Sequence, residues 1–532
     1  MGDTRRLAGL FGRFLVVMIA AFLTACAGLP QRPGLQPEVA LRDTSDTAIA
    51  RELAPQLAAH PGESVFYPLA AGTDAFAMRI ALARVAQRSL DIQYYIYETD
   101  DTGLTLLAAI MAAADRGVRV RLLLDDIHLA GQDKMLQVID AHPNIEVRVF
   151  NPFASRNVRL LEYVTAFSRI NRRMHNKSMT ADNQLTIVGG RNVGDEYYGA
   201  AQTDFSDLDL LAAGPVVPEV SAVFDDYWNN EAAYPISTLE KPLTGKEAAE
   251  QQEKLRNAVD DRAIAVSATP YGKSVLESGV VHAIHQGTLP SFWGRATVIA
   301  DKAAKIQLPP DDDSTHAIPQ LGKILDSAKH DLTLISPYFV PPDDAMDWLT
   351  GMQKRGVQVR ILTNSYGATD VTAVHAGYAP KREALLRAGV ILYELKPSAY
   401  AELAKERKSH RSGPGGSSRA SLHAKTYMVD RHQLFIGSLN LDPRSARLNT
   451  EMGIVVDSAP LCEMFGKVID AALLDVAYQV VLETDPATGK EQMVWVTQED
   501  GILRTYRSEP DMNAWDHFKQ GVLRMLPVES QL

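Results

Sequence analysis

Histidine, lysine and aspartate recur at one spacing twice in the chain, as His175-x-Lys177-x4-Asp182 and His423-x-Lys425-x4-Asp430, 248 positions apart. Seventeen positions after each His stands an Asn, Asn192 or Asn440, closing Gly189-Gly190-Arg191-Asn192 and Gly437-Ser438-Leu439-Asn440. One such match would be weak evidence in a long chain, but two with the same Gly-x-x-Asn are not chance. Residues two apart on a strand share a face, so each copy sets an imidazole beside an ammonium. Asp182 lies an odd number of residues further on and is followed by the turn former Asn183. It is therefore expected to brace its hairpin rather than to react, and Asp430 likewise. Two copies placed face to face would gather two His, two Lys and two Asn, which suits a phosphodiester. Lys and Asn would donate to the non-bridging oxygens. One His would attack phosphorus to give a phosphohistidine. The other would protonate the leaving alkoxide and then deprotonate the incoming hydroxyl. This chemistry requires no metal or other cofactor, and neither HExxH nor clustered Cys/His spacing occurs.

The elements that position these residues repeat as well. After each motif an apolar strand (Leu185 to Val188; Leu434 to Ile436) returns to the Gly-rich bend. Upstream, Ala86 to Tyr97 and Ala328 to Val340 each end a helix and enter a β-rich strand. A second helix then gives way to a strand at Arg116-Gly117-Val118-Arg119 and at Arg355-Gly356-Val357-Gln358, with Gly suited to the helix C-cap. The order predicts an α/β protein of two pseudo-symmetric lobes, each a β-sheet flanked by helices, with the site between them. Residues 62–240 and 306–480 are the expected lobes. Residues 241–305, with a charged helix over Lys241 to Asp261, connect them, and 481–532 form a C-terminal extension.

A chain of 532 residues is long enough for two lobes and appendages. Its net charge of −11 argues against bulk nucleic-acid binding, so no nucleic-acid partner is expected. Residues 1–25 read as a signal peptide: Arg5, Arg6 and Arg13 precede an apolar run, Phe14 to Leu23, too short to span a membrane comfortably. Leu23-Thr24-Ala25-Cys26 looks like a bacterial lipoprotein box, which implies acylation of Cys26. An ordinary cleavage site or an uncleaved anchor are the alternatives. Ala27, in place of Asp, would favour the periplasmic face of the outer membrane. Residues 26–61 then form a tether. With Cys26 lipidated, only Cys462 remains, and no internal disulfide can form. Cys462 reads as a small buried hydrophobe.

The constellation resembles the phospholipase D superfamily across nearly all of residues 62–480, and most closely the bacterial cardiolipin synthases of the C-type branch. Met174-His175-Asn176-Lys177, the block Gly190 to Tyr197, Leu439 to Ser445 and the terminal Leu526 to Leu532 carry the resemblance. It implies a phosphatidyltransferase that joins phosphatidylglycerol to a second phospholipid, possible acceptors including phosphatidylethanolamine, at a membrane surface. It also implies His175 as nucleophile and His423 as general acid/base, oriented crosswise by Glu451 and Asp207. Asp207 and Asp209 could instead be strand-edge charges. A phospholipase D using water as acceptor is the alternative activity. A nuclease fits the acidic charge poorly, and a non-catalytic lipid-binding scaffold would be expected to have lost a motif residue.

Weaker signals surround the motifs. Arg156, Arg159, Arg169, Arg172 and Arg173, interleaved with Leu160, Leu161, Tyr163 and Phe167, could hold anionic headgroups or form a solvated helix face. The basic loop Lys405 to Arg419 could be a lid or a surface loop. Trp515, Phe518, Val522, Leu523 and Leu526 form one helix face, expected to pack on the body, with an interfacial membrane helix as the alternative. His128, His282, His285 and His375 fit no spacing.

Overall fold

The computed structural model describes residues 28–32, 34–156, 158–201, 203–399, 419–485 and 489–524. Cys26, residues 405–418 of the basic loop and Leu526 lie outside them. The protein is mixed α/β, as the pattern predicts. The helices Asp101–Asp115 and Asp343–Lys354 both close on a left-handed glycine, Gly117 (φ 93°) and Gly356 (φ 86°). The following N–H groups reach back into the helix, Val118 to the Ala113 carbonyl and Val357 to that of Met352. Only glycine adopts this conformation without a steric cost. Each reversal launches a buried strand, Arg119–Asp125 or Gln358–Asn364.

Strand order is the same in the two halves. In the first, Ser64–Leu69 pairs antiparallel with Asp209–Ala213, which pairs with Leu185–Gly189, then Ser178–Ala181, then Ser89–Tyr94. Parallel neighbours Arg119–Asp125 and Ile145–Phe150 complete the centre. In the second, Phe292–Ala300 is followed by Met452–Asp457, Gln433–Gly437, Lys425–Val429 and Asp331–Ile335. Gln358–Asn364 and Ile391–Leu395 then run parallel. The strands Ser64–Leu69 and Phe292–Ala300 also pair with each other, Val65 opposite Trp293, so the halves share one sheet. An apolar cluster containing Phe66, Val188, Leu210, Leu422, Leu434, Ile436 and Ile454 draws on both.

The segments outside the expected lobes are built into this frame. Phe292–Ala300, inside the connector, is the second half's counterpart of Ser64–Leu69, while the helix Gly245–Ala268 packs on Asp101–Asp115. Ala477–Thr484 crosses position 480, and the hairpin Glu491–Glu499 with Ile502–Tyr506 continues its sheet. In the tether, Arg32 donates to the carbonyls of Ala233 and Asn229, and the Ala40 N–H donates to Asp225. The helix Ala48–Ala59 follows, capped by Thr47. The expectation that the apolar face of the last helix packs on the body fails. In Ala514–Arg524 the buried residues are Asp516 and Gln520, the latter donating to the Thr372 carbonyl, while Trp515, Phe518 and Val522 are exposed. Packing through the polar side leaves those three outward.

The motif aspartates anchor the hairpins to the sheet. Asp182 (φ 54°) accepts the backbone N–H groups of Gln87, Arg88 and Ser89 at 2.7–3.1 Å, at the start of Ser89–Tyr94. Asp430 (φ 49°) accepts those of Lys329, His330 and Asp331 at 2.8–3.2 Å. Each carboxylate thus ties a turn to the neighbouring strand rather than closing the turn on itself. Asp182 is fully buried whereas Asp430 is not. Asp182→Ala should therefore cost roughly 2–4 kcal/mol, by stranding three backbone donors of which that of Ser89 is buried, and Asp430→Ala about 1 kcal/mol. Denaturant unfolding of the two variants checks the order.

Candidate active site

Each motif histidine sits on a segment that pairs across the halves. Met174 forms a parallel bridge with Thr450, the His175 N–H donates to the Thr450 carbonyl, and the Thr450 N–H donates to that of Arg173. On the other side Arg419–Leu422 pairs parallel with Thr203–Ser206, and the N–H groups of His423 and Ala424 both reach the Ser206 carbonyl. Next in register comes a carboxylate from the opposite half. His175 Nδ1 is 2.8 Å from Glu451 Oε2, and His423 Nδ1 is 2.5 Å from Asp207 Oδ2. With Nδ1 engaged, each ring is held in the orientation that presents Nε2 as the second nitrogen.

Lys177 and Lys425 are buried, and each ammonium donates to the carbonyl of its own motif His. Burial lowers Lys177 to about 7, Glu451 pulling it up and Lys425 pushing it down. Lys425 falls to about 8 through burial, against the pull of Asp207 and Glu451. His175 lies well below the usual imidazole range because of burial and then of Lys177, Lys425 and His423, so all four groups share one electrostatic environment. Burial and Lys425 lower His423 too, opposed by Asp207.

The two carboxyl groups are shifted in opposite directions. Burial works against ionisation of Asp207, but His423, Lys425 and Arg191 hold its carboxyl well below the usual range. For Glu451 burial prevails over Lys177 and pushes the carboxyl up to about 7. The Gly-rich bends show why the two environments are built differently. A Cβ on Gly190 would collide with the Asp207 carboxylate. The equivalent position in the other copy is Ser438, whose hydroxyl donates to Glu451. One bend yields space to a carboxylate and the other supplies it with a hydrogen bond.

The remaining expected residues are placed as follows. Asn192 accepts from the Ile96 N–H at 3.2 Å and donates to the Tyr197 hydroxyl at 2.8 Å, so part of its carboxamide is engaged within the protein. Asn440 is 3.4 Å from the Ser445 hydroxyl, and its buried Oδ1 has no hydrogen-bond partner. Asp209 is fully buried and meets Arg79 at 2.8 Å and Arg191 at 3.4 Å, so it is not a strand-edge charge. Four of the five arginines before His175 are paired with carboxylates, and the fifth, half-buried Arg172, meets backbone carbonyls only. Arg156 binds Asp126 and Asp133, Arg159 binds Asp126, and Arg169 binds Glu162. Arg172 reaches the Leu308 carbonyl, and Arg173 binds Asp125, which also accepts from the Met174 N–H.

Several contributors carry no motif. The Tyr95 ring stands edge-on to His175 with centroids 4.8 Å apart, and Lys177 Nζ lies 5.3 Å from its centre. Tyr197 and Phe205 flank His423 at 5.4 and 5.1 Å. Asp301 accepts the Glu451 N–H at 2.7 Å and pairs with the buried Lys305. Tyr197 stands within a stretch that carries the resemblance and Ser438 within the second Gly-rich signature, which were the available signals. Asp301 comes from the connector and has none.

Comparison with known proteins agrees with this geometry. Residues 80–228 and 321–473 match the family described as cardiolipin synthase, PLD-like domain. The chain is 41% identical over 486 residues to cardiolipin synthase C of Escherichia coli (strain K12), spanning 90% of this chain and 99% of that one. An uncharacterized protein of Helicobacter pylori (strain J99) is 32% identical over 508 residues, 94% of this chain and 95% of the other. The crystal structure of a phosphatidylserine synthase from Haemophilus influenzae Rd KW20 has the same fold, with a TM-score of 0.53 at 12% identity over 88% of this chain and 95% of that one. The chain therefore belongs to the phospholipase D-like family of cardiolipin synthases, as the motif resemblance implies.

Ser438→Ala should raise the Glu451 carboxyl further and weaken its grip on His175, whereas Gly190→Ala should displace Asp207 from His423. Both should lower turnover by about tenfold or more, the loss of one charge-assisted hydrogen bond. An unchanged rate in both variants would remove the carboxylates from the reaction.

Proposed function

We propose that the protein is a phosphatidyltransferase that makes cardiolipin from phosphatidylglycerol and a second phospholipid. The observation that carries it is the crosswise pairing of two buried His–carboxylate couples around two buried lysines, in a chain 41% identical to a cardiolipin synthase. His175 Nε2 attacks the phosphorus of phosphatidylglycerol, the P–O bond to the departing glycerol breaks, and a phosphatidyl-histidine forms. His423, oriented by the ionised Asp207, delivers its proton to the glycerol oxygen. The acceptor hydroxyl then enters, His423 takes its proton, and the new P–O bond releases His175. Lys177 and Lys425 hold the non-bridging oxygens through both steps. His175 suits the nucleophilic role because burial and three neighbouring cationic or titrating groups keep its imidazole neutral. His423 suits the acid/base role because Asp207, held as an anion, opposes the lowering that burial and Lys425 impose on it, a support His175 lacks.

Phosphatidylglycerol and phosphatidylethanolamine are the candidate lipids, and the membrane surface is the workplace. Among the described residues no helix is long and apolar enough to cross a membrane. Acylation at Cys26 would supply the attachment, with the periplasmic face of the outer membrane the location the lipoprotein box suggests.

Purified protein supplied with phosphatidylglycerol, with and without phosphatidylethanolamine, should yield cardiolipin; phosphatidic acid as the sole product would establish a hydrolase instead. His423→Ala should lose on the order of 10²–10⁴-fold in rate on phosphatidylglycerol. With a p-nitrophenyl phosphatidyl ester, whose leaving group needs no proton, the same variant should accumulate a radiolabelled adduct on His175. An adduct on His423 in His175→Ala would reverse the two roles.

The pH dependence follows from the lysines. Above about pH 8 both buried ammonium groups lose their protons in the empty site, and an anionic phosphodiester favours the protonated forms. Binding therefore takes up protons, and KM should rise by about tenfold per pH unit for each proton taken up. A KM flat from pH 7.5 to about 9.5 would show that the lysines do not hold the phosphate.

A further inference from the structure

Between Val158 and Phe167 the chain places five large apolar side chains in solvent. Val164 is 82% exposed, Leu160 78%, Val158 56%, Phe167 44% and Tyr163 41%. A soluble surface seldom gathers such residues in so short a stretch unless something covers them. The two short helices involved, Arg159–Thr165 and Phe167–Ile170, are fastened from beneath. Arg156, Arg159 and Arg169 turn inward to Asp126, Asp133 and Glu162, and Arg169 also donates to Asn151 and the Pro152 carbonyl. The charged side chains form the base and the apolar ones the tip.

The route of the N-terminal chain indicates what covers that tip. Leu29 lines a cleft of about 490 Å³ together with Ser168, Arg169 and Arg172. Ser168 follows Phe167 directly, so Leu29 lies beside the apolar segment. Cys26 is three residues before Leu29, and an extended chain spans at most roughly 3.6 Å per residue, about 11 Å in all. An acyl group on Cys26 would thus enter a membrane next to Val158–Phe167. From the same segment the chain runs directly into the site: Arg173 and the Met174 N–H are both held by Asp125, and His175 follows.

We propose that residues 158–167 are a membrane-docking wedge whose apolar tip enters the boundary between headgroups and acyl chains of a phospholipid bilayer. The wedge, with the N-terminal attachment beside it, holds the mouth of the site against the lipid surface. The inference rests on the reading of the substrate as phospholipid. Its recognition is chiefly hydrophobic, because four of the five neighbouring arginines are paired with carboxylates inside the fold.

The test uses the full protein reconstituted in phosphatidylglycerol/phosphatidylethanolamine vesicles with an environment-sensitive fluorophore at Val164→Cys. Val468→Cys, at an exposed apolar position in the helix Ala459–Val476, is the reference, and Cys462 is buried. The label at position 164 should shift to the blue and lose about half its emission to spin-labelled acyl chains, and the label at 468 should do neither. Equal quenching at the two positions overturns the wedge. So does shielding of position 164 already present without vesicles, which would mean that a second copy covers the segment. As a second variant, Leu160→Ser with Val164→Ser should raise the apparent KM for vesicle phospholipid about tenfold, and an unchanged KM counts against the proposal. Quenching needs no turnover, so a protein that docks without making cardiolipin would refute the functional reading and leave the wedge standing.

Discussion

Each motif imidazole takes its orientation from a carboxylate carried by the other half of the chain, Glu451 for His175 and Asp207 for His423. Buried carboxylates are costly unless their partners are placed within tenths of an ångström, so the halves must be held in fixed register. Much of the fold serves that need. The bridge between Met174 and Thr450, the parallel pair joining Arg419–Leu422 to Thr203–Ser206, and the apolar cluster shared by both halves all act on this alignment. Asp301 extends the same control one step outward by holding the Glu451 backbone.

Within this near-symmetric frame the two couples are chemically unequal. Glycine at 190 admits a short carboxylate that stays ionised, and serine at 438 hydrogen-bonds a longer one that burial brings close to neutrality. A symmetric backbone has thus been given an asymmetric charge distribution by a few side chains. In the proposed reaction this asymmetry leaves His175 a neutral imidazole and sets His423 beside a fixed anion.

The repeated motif made the two-half α/β plan legible, because His, Lys and Asn at fixed offsets and the glycines before Val118 and Val357 are local signals. The strand period also set Asp182 and Asp430 apart from the His–Lys face, and the structure places them on backbone N–H groups. What lies across the halves was less visible. Tyr95 reaches His175 and Asp301 reaches Glu451 only through tertiary packing, which leaves no spacing to read. The arginines before His175 misled for the same reason: composition counts charges, but only the fold shows that Asp125, Asp126, Asp133 and Glu162 take up four of the five. The hydrophobic pattern of the last helix pointed to the wrong side, since Gln520 found a backbone acceptor and was buried together with Asp516.

The strand pair that joins Ser64–Phe66 to Phe292–Gly294 has a kinetic meaning. Halves stitched into one sheet and glued by a common apolar cluster cannot swing apart like a clamshell. The two His–carboxylate couples are then held at one separation. On the proposed phosphatidyl-histidine route glycerol leaves before the second lipid takes its place, so an acceptor lipid that enters early would act as an inhibitor.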